Sequence, residues 1–451
     1  MSLHVSHNRV PVVLFCWHGD LENDRGGGNT LAVDRLQYLL ECGFEVHLLS
    51  RTPIDSAIAL DCHRTWVFNE NLYRAARRFL WRRLASSKTA RSLFDLGLRQ
   101  ANRMQGVFVE EKERFLERFA FYQEQKKHGV VRSFCKRRNS MMLAGAEQLV
   151  AALQPDIVMA SFAWNAVIFD AVPANVYKIL DTHDIQSRRA KVARKAGGNL
   201  GDRDCTASEE AKELAKADLL IAIQPNEEDL LRSLCDDVTV VEAGHAPQVQ
   251  LQPLSSSSGN TLLFVANLYD PNVLGLKRFL KEDWPALRSD GWSLRVIGDV
   301  CGAFASKVRG VEMLGRVDDL SPHYREATVV LNLALYGTGL PIKVVEAVAA
   351  GKIVLARGQS SECFGPEFPI VRFEHGQAAE RVRHLLHDRA ACQKLEAQAC
   401  KYAKENLSRE SVYRDLSGVL HKVGLMPNSG MSAAAPIKET STVVEPDISQ
   451  P

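Results

Sequence analysis

Apolar residues alternate along the chain between short uninterrupted runs and stretches with helical spacing. The first fifty residues hold an apolar run at 10–17, a helical pattern at 30–42 and a second run at 44–50. Gly26, Gly27 and Gly28 stand between the first run and the helix and predict a loop, because glycine in regular structure loses the most conformational freedom. A strand, a helix and a second strand predict a βαβ unit and therefore a parallel sheet.

The same alternation continues and then restarts after a polar stretch. Residues 247–260 (PQVQLQPLSSSSGN) are rich in proline and serine and predict a linker. Further strands are predicted at 156–161, 177–181, 219–223, 238–242, 261–266, 293–297, 311–314, 329–333 and 353–356. We therefore expect an α/β protein with two Rossmann-like domains that face a central cleft, where open parallel sheets bind ligands. This architecture is compatible with dehydrogenases, epimerases, binding proteins and transferases alike.

The pattern also predicts domain boundaries. Residues 1–246 form the N-terminal domain, 247–260 the linker, 261–400 the C-terminal domain and 401–425 a C-terminal helix. Residues 426–451 lack apolar periodicity and predict a disordered tail. Within the first domain, residues 71–150 have a helical, arginine-rich pattern that predicts an insertion.

A basic segment lies inside this insertion. Residues 74–103 carry nine basic side chains against one acidic, with aromatic residues between them. A solvated helical face and an anionic membrane surface are both compatible with this pattern. Nucleic acid is the weakest of the three interpretations, because no known binding module matches, and we expect no nucleic-acid partner.

Composition adds limits rather than a partner. A chain of 451 residues suits two domains, and a net charge of +2 indicates no particular ligand. The ten cysteines stand singly, without a metal-finger spacing, which indicates reduced thiols and a cytoplasmic location. No apolar run reaches the length needed to span a bilayer, so we expect any membrane contact to be peripheral, on the inner face.

The most informative stretch is residues 336–351 (YGTGLPIKVVEAVAAG). A glycine loop precedes a helix predicted to start near Pro341, and the free N–H groups of its first turn favour an anion. Lys343 and Glu346 share one helical face, where they could bind the phosphates and the ribose hydroxyls of a nucleoside diphosphate. On the residues alone, a solvated surface pair is an equal alternative. The other predicted donor-binding residues are Gly337, Thr338, Gly339 and Leu340.

This stretch resembles the donor-site signature of the group-1 (family 4-like) retaining glycosyltransferases with the GT-B fold. Residues 181–184 (DTHD) resemble the family's histidine motif, and 294–298 (LRVIG) and 314–317 (LGRV) resemble its donor domain. The glycine loop at 26–28 and residues 43–46 resemble its opening unit. The resemblance therefore extends over most of the chain.

The resemblance implies transfer of a hexosyl group from a nucleoside diphosphate sugar to an acceptor hydroxyl, with retention, in glycan or polysaccharide biosynthesis. The acceptor would be a glycan, a lipid-linked molecule or a protein. No cofactor is implied beyond the sugar nucleotide. The donor half has no Asp-x-Asp signature at a strand end, so we also expect no metal ion.

The resemblance also implies site residues. His183, at the end of a predicted strand, would contact the transferred sugar or its phosphate and act with Lys343 in catalysis. Local pairing of this histidine with Asp181 or Asp184 is the alternative. Arg316 is a second candidate for the diphosphate, with surface pairing as its alternative. The loop of Gly26, Gly27 and Gly28 would approach the donor phosphates or the acceptor.

Two features depart from the family pattern. Thr338 stands where the family often carries the first of two glutamates with seven residues between them, and residues 267–272 (NLYDPN) replace the usual Arg and Lys pair. A subgroup with a Pro-Asn turn here is more similar, and in it Lys343 would supply the phosphate cation. A sugar-nucleotide epimerase of the same fold and a catalytically degenerate sugar-nucleotide-binding scaffold remain alternatives.

Overall fold

The computed structural model describes residues 9–17, 27–50, 62, 64–67, 140–195, 205–249, 259–304, 308–357, 359–374, 376–427 and 442–443. The basic segment 74–103, Gly26 and most of the predicted insertion lie outside these ranges. Of the predicted linker, 247–249 and 259–260 are described and form no helix or strand.

A parallel sheet forms the centre of the N-terminal domain. Its strands are β1 (Val12–Trp17), β2 (Glu45–Ser50), β3 (Arg64–Val67), β4 (Ile157–Ser161), β5 (Tyr177–Asp181), β6 (Leu219–Ala222) and β7 (Thr239–Glu242). They lie in the order β3-β2-β1-β4-β5-β6-β7, with Val12 paired to Glu45 and Val13 to Ile157. Helices on both faces bury β1 and β4 completely, which explains their continuous apolar runs.

The helices of this domain are α1 (Gly27–Glu41), α2 (Ser140–Leu153), α3 (Gln186–Lys195), α4 (Ala207–Leu214) and α5 (Pro225–Leu234). A 3-10 helix (Ala163–Ala171) follows β4. The prediction of a loop at Gly27 and Gly28 is wrong, because both residues lie in the first turn of α1. Close packing of this turn against aromatic rings, described below, outweighs the cost of glycine in a helix.

A separate parallel sheet forms the centre of the C-terminal domain. Its strands are β8 (Thr261–Val265), β9 (Ser293–Ile297), β10 (Val311–Gly315), β11 (Val329–Asn332), β12 (Ile353–Arg357) and β13 (Val371–Phe373). Their order is β10-β9-β8-β11-β12-β13. Two sheets with all strands parallel confirm the predicted α/β architecture of two Rossmann-like halves.

The helices of this half begin with α6 (Asp270–Glu282), α7 (Trp284–Ser289), α8 (Ser321–Glu326), α9 (Ile342–Ala349), α10 (Ala378–His387) and α11 (Arg389–Asn406). Short 3-10 helices lie at Asp299–Ala303 and Gln359–Ser361. Helix α11 runs through residue 401, where the sequence pattern places a domain boundary. Its Ala399 and Ala403, with Leu407, belong to the core of the C-terminal domain.

The chain then returns to the N-terminal domain through α12 (Arg409–Val412) and α13 (Arg414–Lys422). Tyr413, Leu416 and Leu420 are buried in the N-terminal core, and the ring of Tyr413 stacks on Tyr38 with centroids 4.1 Å apart. Beyond them, β14 (Thr442–Val443) pairs with β3 and makes the first sheet eight-stranded. This strand lies in the stretch where the sequence predicts a disordered tail.

Candidate functional site

A cleft of about 1880 Å³ lies between the two domains. Residues that follow β1, β5 and β7 line one wall, and residues that follow β8, β9, β10 and β11 line the other. Strand ends of two open parallel sheets therefore face each other, which is where such sheets bind ligands. Every predicted site residue within the described ranges lines this cleft: Gly27, Gly28, His183, Arg316, Gly337, Thr338, Gly339, Leu340, Lys343 and Glu346.

The glycine loop leads into α9, as the sequence predicts. The carbonyl of Pro341 accepts the first helical hydrogen bond, from Val344 N at 2.8 Å. The amides of Ile342 and Lys343 precede this bond, so they lie in the turn that lacks intrahelical partners. This end of α9 faces the cleft and offers N–H groups and the positive end of a helix dipole to an anion.

Lys343 and Glu346 are joined in an ion pair on this helix. Lys343 Nζ lies 2.9 Å from both carboxylate oxygens of Glu346. The hydroxyl of Tyr324 donates a further hydrogen bond to Glu346 Oε2 at 3.2 Å. Lys343 is 37% exposed and Glu346 18%, so the pair is neither buried nor free surface. A carboxylate and a cation are thus held side by side next to the anion-binding turn.

His183 lies against the glycine loop from the opposite domain. A Cβ placed on Gly339 would lie 3.7 Å from the backbone oxygen of His183. The imidazole stacks on Phe162, with centroids 4.3 Å apart, and its Nε2 lies 3.4 Å from Asp181 Oδ2. Burial lowers the pKa of His183 to about 4, although the charge of Asp181 opposes the shift. The ring is therefore neutral at neutral pH.

Two residues that directly follow strands, His183 and Phe162, carry backbone strain. His183 has φ of 55° and Phe162 has φ of 68°, in the left-handed region that side chains other than glycine seldom adopt. Such residues cost of the order of 1–3 kcal/mol each and are concentrated at functional sites. They follow the neighbouring strands β5 and β4, so the strain holds two stacked rings at one position of the cleft.

Gly27 and Gly28 bring α1 close to both walls. A Cβ on Gly28 would lie 3.3 Å from Phe162 Cζ and 3.8 Å from His183 Nδ1. A Cβ on Gly27 would lie 3.2 Å from Ile342 Cδ1 in the other domain. A side chain at either position would press on the rings or on the start of α9, so the missing Cβ atoms allow the close approach.

The C-terminal half of the cleft lies in a stretch that resembles a known protein family. Residues 259–388, the bulk of the C-terminal domain, match the family model described as Glycosyl transferases group 1. This half of the chain is thus similar to the group 1 glycosyl transferases. No curated protein matches the chain at a significant level.

Solved structures of similar shape include a sucrose-phosphate synthase and two proteins in complex with UDP. A sucrose-phosphate synthase from Thermosynechococcus elongatus covers 92% of this chain and 99% of its own, at 15% identity and a TM-score of 0.62. Anabaena HepE in complex with UDP and glucose covers 91% and 100%, at 12% identity and a TM-score of 0.58. An S. aureus TarM variant in complex with fondaparinux, alpha-GlcNAc-glycerol and UDP covers 91% and 99%, at 10% identity and a TM-score of 0.56. At these identities the likeness shows the fold, which is GT-B as the sequence predicts.

Two predicted residues of the C-terminal domain, Arg316 and Thr338, form contacts with other residues of the protein. Arg316 forms an ion pair with Asp299, with one nitrogen 2.7 Å from Oδ2, and this pairing lowers the pKa of the Asp299 carboxyl. Thr338 is buried, and its carbonyl accepts a hydrogen bond from Gln224 Nε2 in the other domain. The residue at the position of the family's first glutamate therefore serves a contact between the domains.

Asp184 and Glu227 form a buried carboxyl pair behind the glycine loop 337–339. Burial raises the pKa of both groups, and the charge of Asp184 raises that of Glu227 further. Arg189 lies 3.3 Å from Asp184 Oδ2, and its guanidinium stacks on Tyr269 across the cleft at 5.6 Å.

Sequence reasoning missed a second group of residues on the N-terminal wall. Asp34 and Arg35 lie on α1, and both are buried. Arg35 Nε donates to Asp181 Oδ2 at 3.0 Å, and Asp34 Oδ2 lies 3.2 Å from Nδ1 of His245. Only the apolar period of α1 could have indicated burial, because the partners lie far away in the sequence.

Neither a metal centre nor a membrane span is found in the part of the chain that the structure describes. There, no three His, Cys, Asp or Glu side chains lie close enough to hold a metal ion. No helix in those ranges is both long and apolar enough to cross a bilayer.

Proposed function

We propose that the protein transfers a hexosyl group from a nucleoside diphosphate sugar to an acceptor hydroxyl. The observation that supports this proposal is the meeting of Lys343, Glu346 and the glycine loop with His183 in one cleft. Residues predicted from distant motifs face each other there across the two domains, and the residues of the C-terminal domain lie in the stretch that matches the group 1 family model.

The donor diphosphate would lie at the start of α9, where the helix end and Lys343 supply positive charge. Glu346 would accept hydrogen bonds from the ribose hydroxyls, and Lys343 would then exchange its pairing with Glu346 for a phosphate oxygen. Because the ion pair already holds both side chains in the cleft, little ordering is needed when the donor binds.

The transfer forms one bond and breaks one. The acceptor oxygen bonds to the anomeric carbon while the bond from that carbon to the phosphate oxygen breaks. The acceptor proton passes to the departing phosphate, and the products are a glycoside and a nucleoside diphosphate. Attack on the face of the leaving group gives retention. The neutral ring of His183 would hold a sugar hydroxyl, so that positioning and charge stabilisation carry the reaction. We propose no cofactor and no metal ion for this step.

Nucleotide binding and turnover test the assignment of Glu346 and Lys343. Glu346→Ala should weaken binding of the preferred nucleoside diphosphate by about 1.5–3 kcal/mol, because hydrogen bonds to a charged group are lost. Glu282→Ala is the matched control, since Glu282 forms a helical ion pair with Arg278 at 2.9 Å and does not line the cleft. Lys343→Ala should lose most of its turnover at saturating donor.

Unchanged affinity in folded Glu346→Ala, or near-normal turnover in Lys343→Ala, would contradict these assignments. Analysis of the products separates the two alternative functions. An epimerase converts the sugar nucleotide without any acceptor. A scaffold binds it tightly and leaves both donor and acceptor unchanged.

We further propose a role in glycan or polysaccharide biosynthesis, with the protein in the cytoplasm and peripheral on the inner membrane face. The support is the charge of residues 74–103, because each cation near an anionic leaflet contributes about 1 kcal/mol. Binding to anionic but not neutral vesicles, lost when Arg77, Arg78, Arg82 and Arg83 become glutamate, is the expected result. Equal behaviour with both vesicle types would count against the membrane proposal.

A further inference from the structure

A buried carboxylate and histidine pair lines the cleft opposite Glu346. Asp34 Oδ2 lies 3.2 Å from His245 Nδ1 and accepts a hydrogen bond from Ala246 N at 2.7 Å. Burial opposes the ionisation of Asp34, but the contacts with His245 and the charge of Arg35 lower the pKa of its carboxyl. Asp34 is therefore ionised at neutral pH, and its carboxylate favours a ring N–H at Nδ1 of His245, 3.2 Å away.

The second ring nitrogen of His245 then becomes an acceptor. Nε2 lies 4.0 Å from Oε1 of Glu346, which belongs to the other domain. This separation is too long for a hydrogen bond, and with the ring N–H at Nδ1 the two atoms would both be acceptors. Both side chains line the cleft. Two acceptors, one from each domain, thus face a common point.

A vicinal diol supplies the donors that this pair requires. Its neighbouring hydroxyls can each donate one hydrogen bond, one to the carboxylate and one to the imidazole. A phosphate group at neutral pH offers acceptors almost exclusively, and it would be repelled by Glu346. The ligand chemistry that fits is therefore a vicinal diol, and the ribose of the proposed donor carries one.

We propose that His245 is a nucleotide-binding residue that accepts one ribose hydroxyl while Glu346 accepts its neighbour. This inference rests on the proposed use of a nucleoside diphosphate sugar and adds the N-terminal half of the nucleoside site. Asp34 acts as the positioning residue, because it fixes the tautomer and the ring orientation. The bound ribose would also connect the two domains, since its two acceptors belong to different ones.

Two substitutions separate the two ring nitrogens. His245→Asn retains an amide near the Nδ1 position, for Asp34, and removes the group at Nε2. His245→Gln places its amide near the Nε2 position and gives up the contact with Asp34. His384→Ala, on the exposed face of α10, is the control histidine.

Calorimetry with UDP, GDP and ADP, each beside its 2′-deoxy and 3′-deoxy forms, measures the contribution of each hydroxyl. The wild-type protein and His384→Ala should bind the preferred ribonucleotide about tenfold more tightly than either deoxy form, the effect of one hydrogen bond. His245→Asn should lose discrimination against one deoxy form, and Glu346→Ala against the other. His245→Gln should retain part of the discrimination that His245→Asn loses.

The outcomes separate this inference from the function on which it rests. Full discrimination against both deoxy forms in folded His245→Asn overturns the role of His245 while the nucleotide site stands. If that variant does not fold, His245→Gln carries the test. Discrimination against one deoxy form that falls below the wild-type value supports an acceptor at Nε2, and wild-type discrimination against both forms overturns it. A wild-type protein that binds none of the nucleotides overturns both proposals.

Discussion

Replacing Arg35 by methionine should destabilise the N-terminal domain by about 3–5 kcal/mol, the cost of leaving one partner of a buried ion pair alone. Arg35 Nε donates to Asp181 Oδ2 at 3.0 Å, and both side chains are fully shielded from solvent. Its Nη1 donates to the carbonyl of Gly244 at 2.8 Å and to the hydroxyl of Tyr413 at 2.7 Å, and Nη2 donates to the carbonyl of Ala243.

The magnitude follows from what the substitution leaves behind. Methionine fills much of the volume but donates no hydrogen bond, so the carboxylate of Asp181 stays buried without a counter-charge. Each carbonyl that loses its hydrogen-bond donor destabilises the fold by about 1–3 kcal/mol, and the apolar packing of methionine offsets part of this loss. For a domain of this size, the expected loss lowers the unfolding midpoint by roughly 6–20 °C.

Thermal unfolding followed by circular dichroism measures this loss. Asp181→Asn in the Arg35→Met background removes the unpaired charge and should recover part of the stability, whereas two independent substitutions would add their losses. A loss below about 1 kcal/mol for Arg35→Met, or no recovery in the double variant, would refute the reasoning.

Two further predictions concern α1 and β7. Gly28→Ala places a methyl group 3.3 Å from Phe162 Cζ and beside His183, so turnover should fall more than the unfolding temperature does. Gly418→Ala is its control, because nothing lies within 4 Å and a helical alanine should stabilise by about 1 kcal/mol. Burial, and then repulsion from Glu228 and Asp415, raises the pKa of the Glu242 carboxyl to about 7. Between its ordinary pKa near 4.5 and this value, the folded protein keeps a proton that the unfolded chain releases. The wild type should therefore lose stability relative to Glu242→Gln as the pH rises from about 4.5 to 7, by at most about 3 kcal/mol. Urea unfolding of both proteins at pH 5 and pH 8 measures this difference. An equal stability difference at the two pH values would mean that the carboxyl titrates normally.

The sequence predicts most of the fold because parallel strands buried on both faces leave continuous apolar runs. The strands that it missed are short: β3 reads RTWV, β13 reads VRF and β14 is only Thr442–Val443. Local pattern also misplaced the start of α1, because the packing of Gly28 against Phe162 comes from residues far away in the chain.

The candidate site likewise contains some residues that the sequence predicts and others that it does not. Lys343 and Glu346 were predicted because one helical turn brings them together. His245 gave no signal, since its partners Asp34 and Glu346 are distant in the sequence and lie in different domains. A charged residue on a helix predicts a solvated face, and only the tertiary structure shows that Asp34 is buried.

Both passages of the chain between the domains meet at Asp34. The first begins after Ala246, whose N–H donates to Asp34 Oδ2 at 2.7 Å, and the second ends near Arg409, which lies 3.5 Å from Oδ1. An opening rotation of the domains would have its axis close to this carboxylate, and every group would move in proportion to its distance from the axis. Glu346 Oε1 lies 4.0 Å from His245 Nε2, next to this carboxylate, so this end of the cleft would change little while more remote parts separate. On the proposed function, the ribose subsite would therefore keep its shape whether the cleft is open or closed.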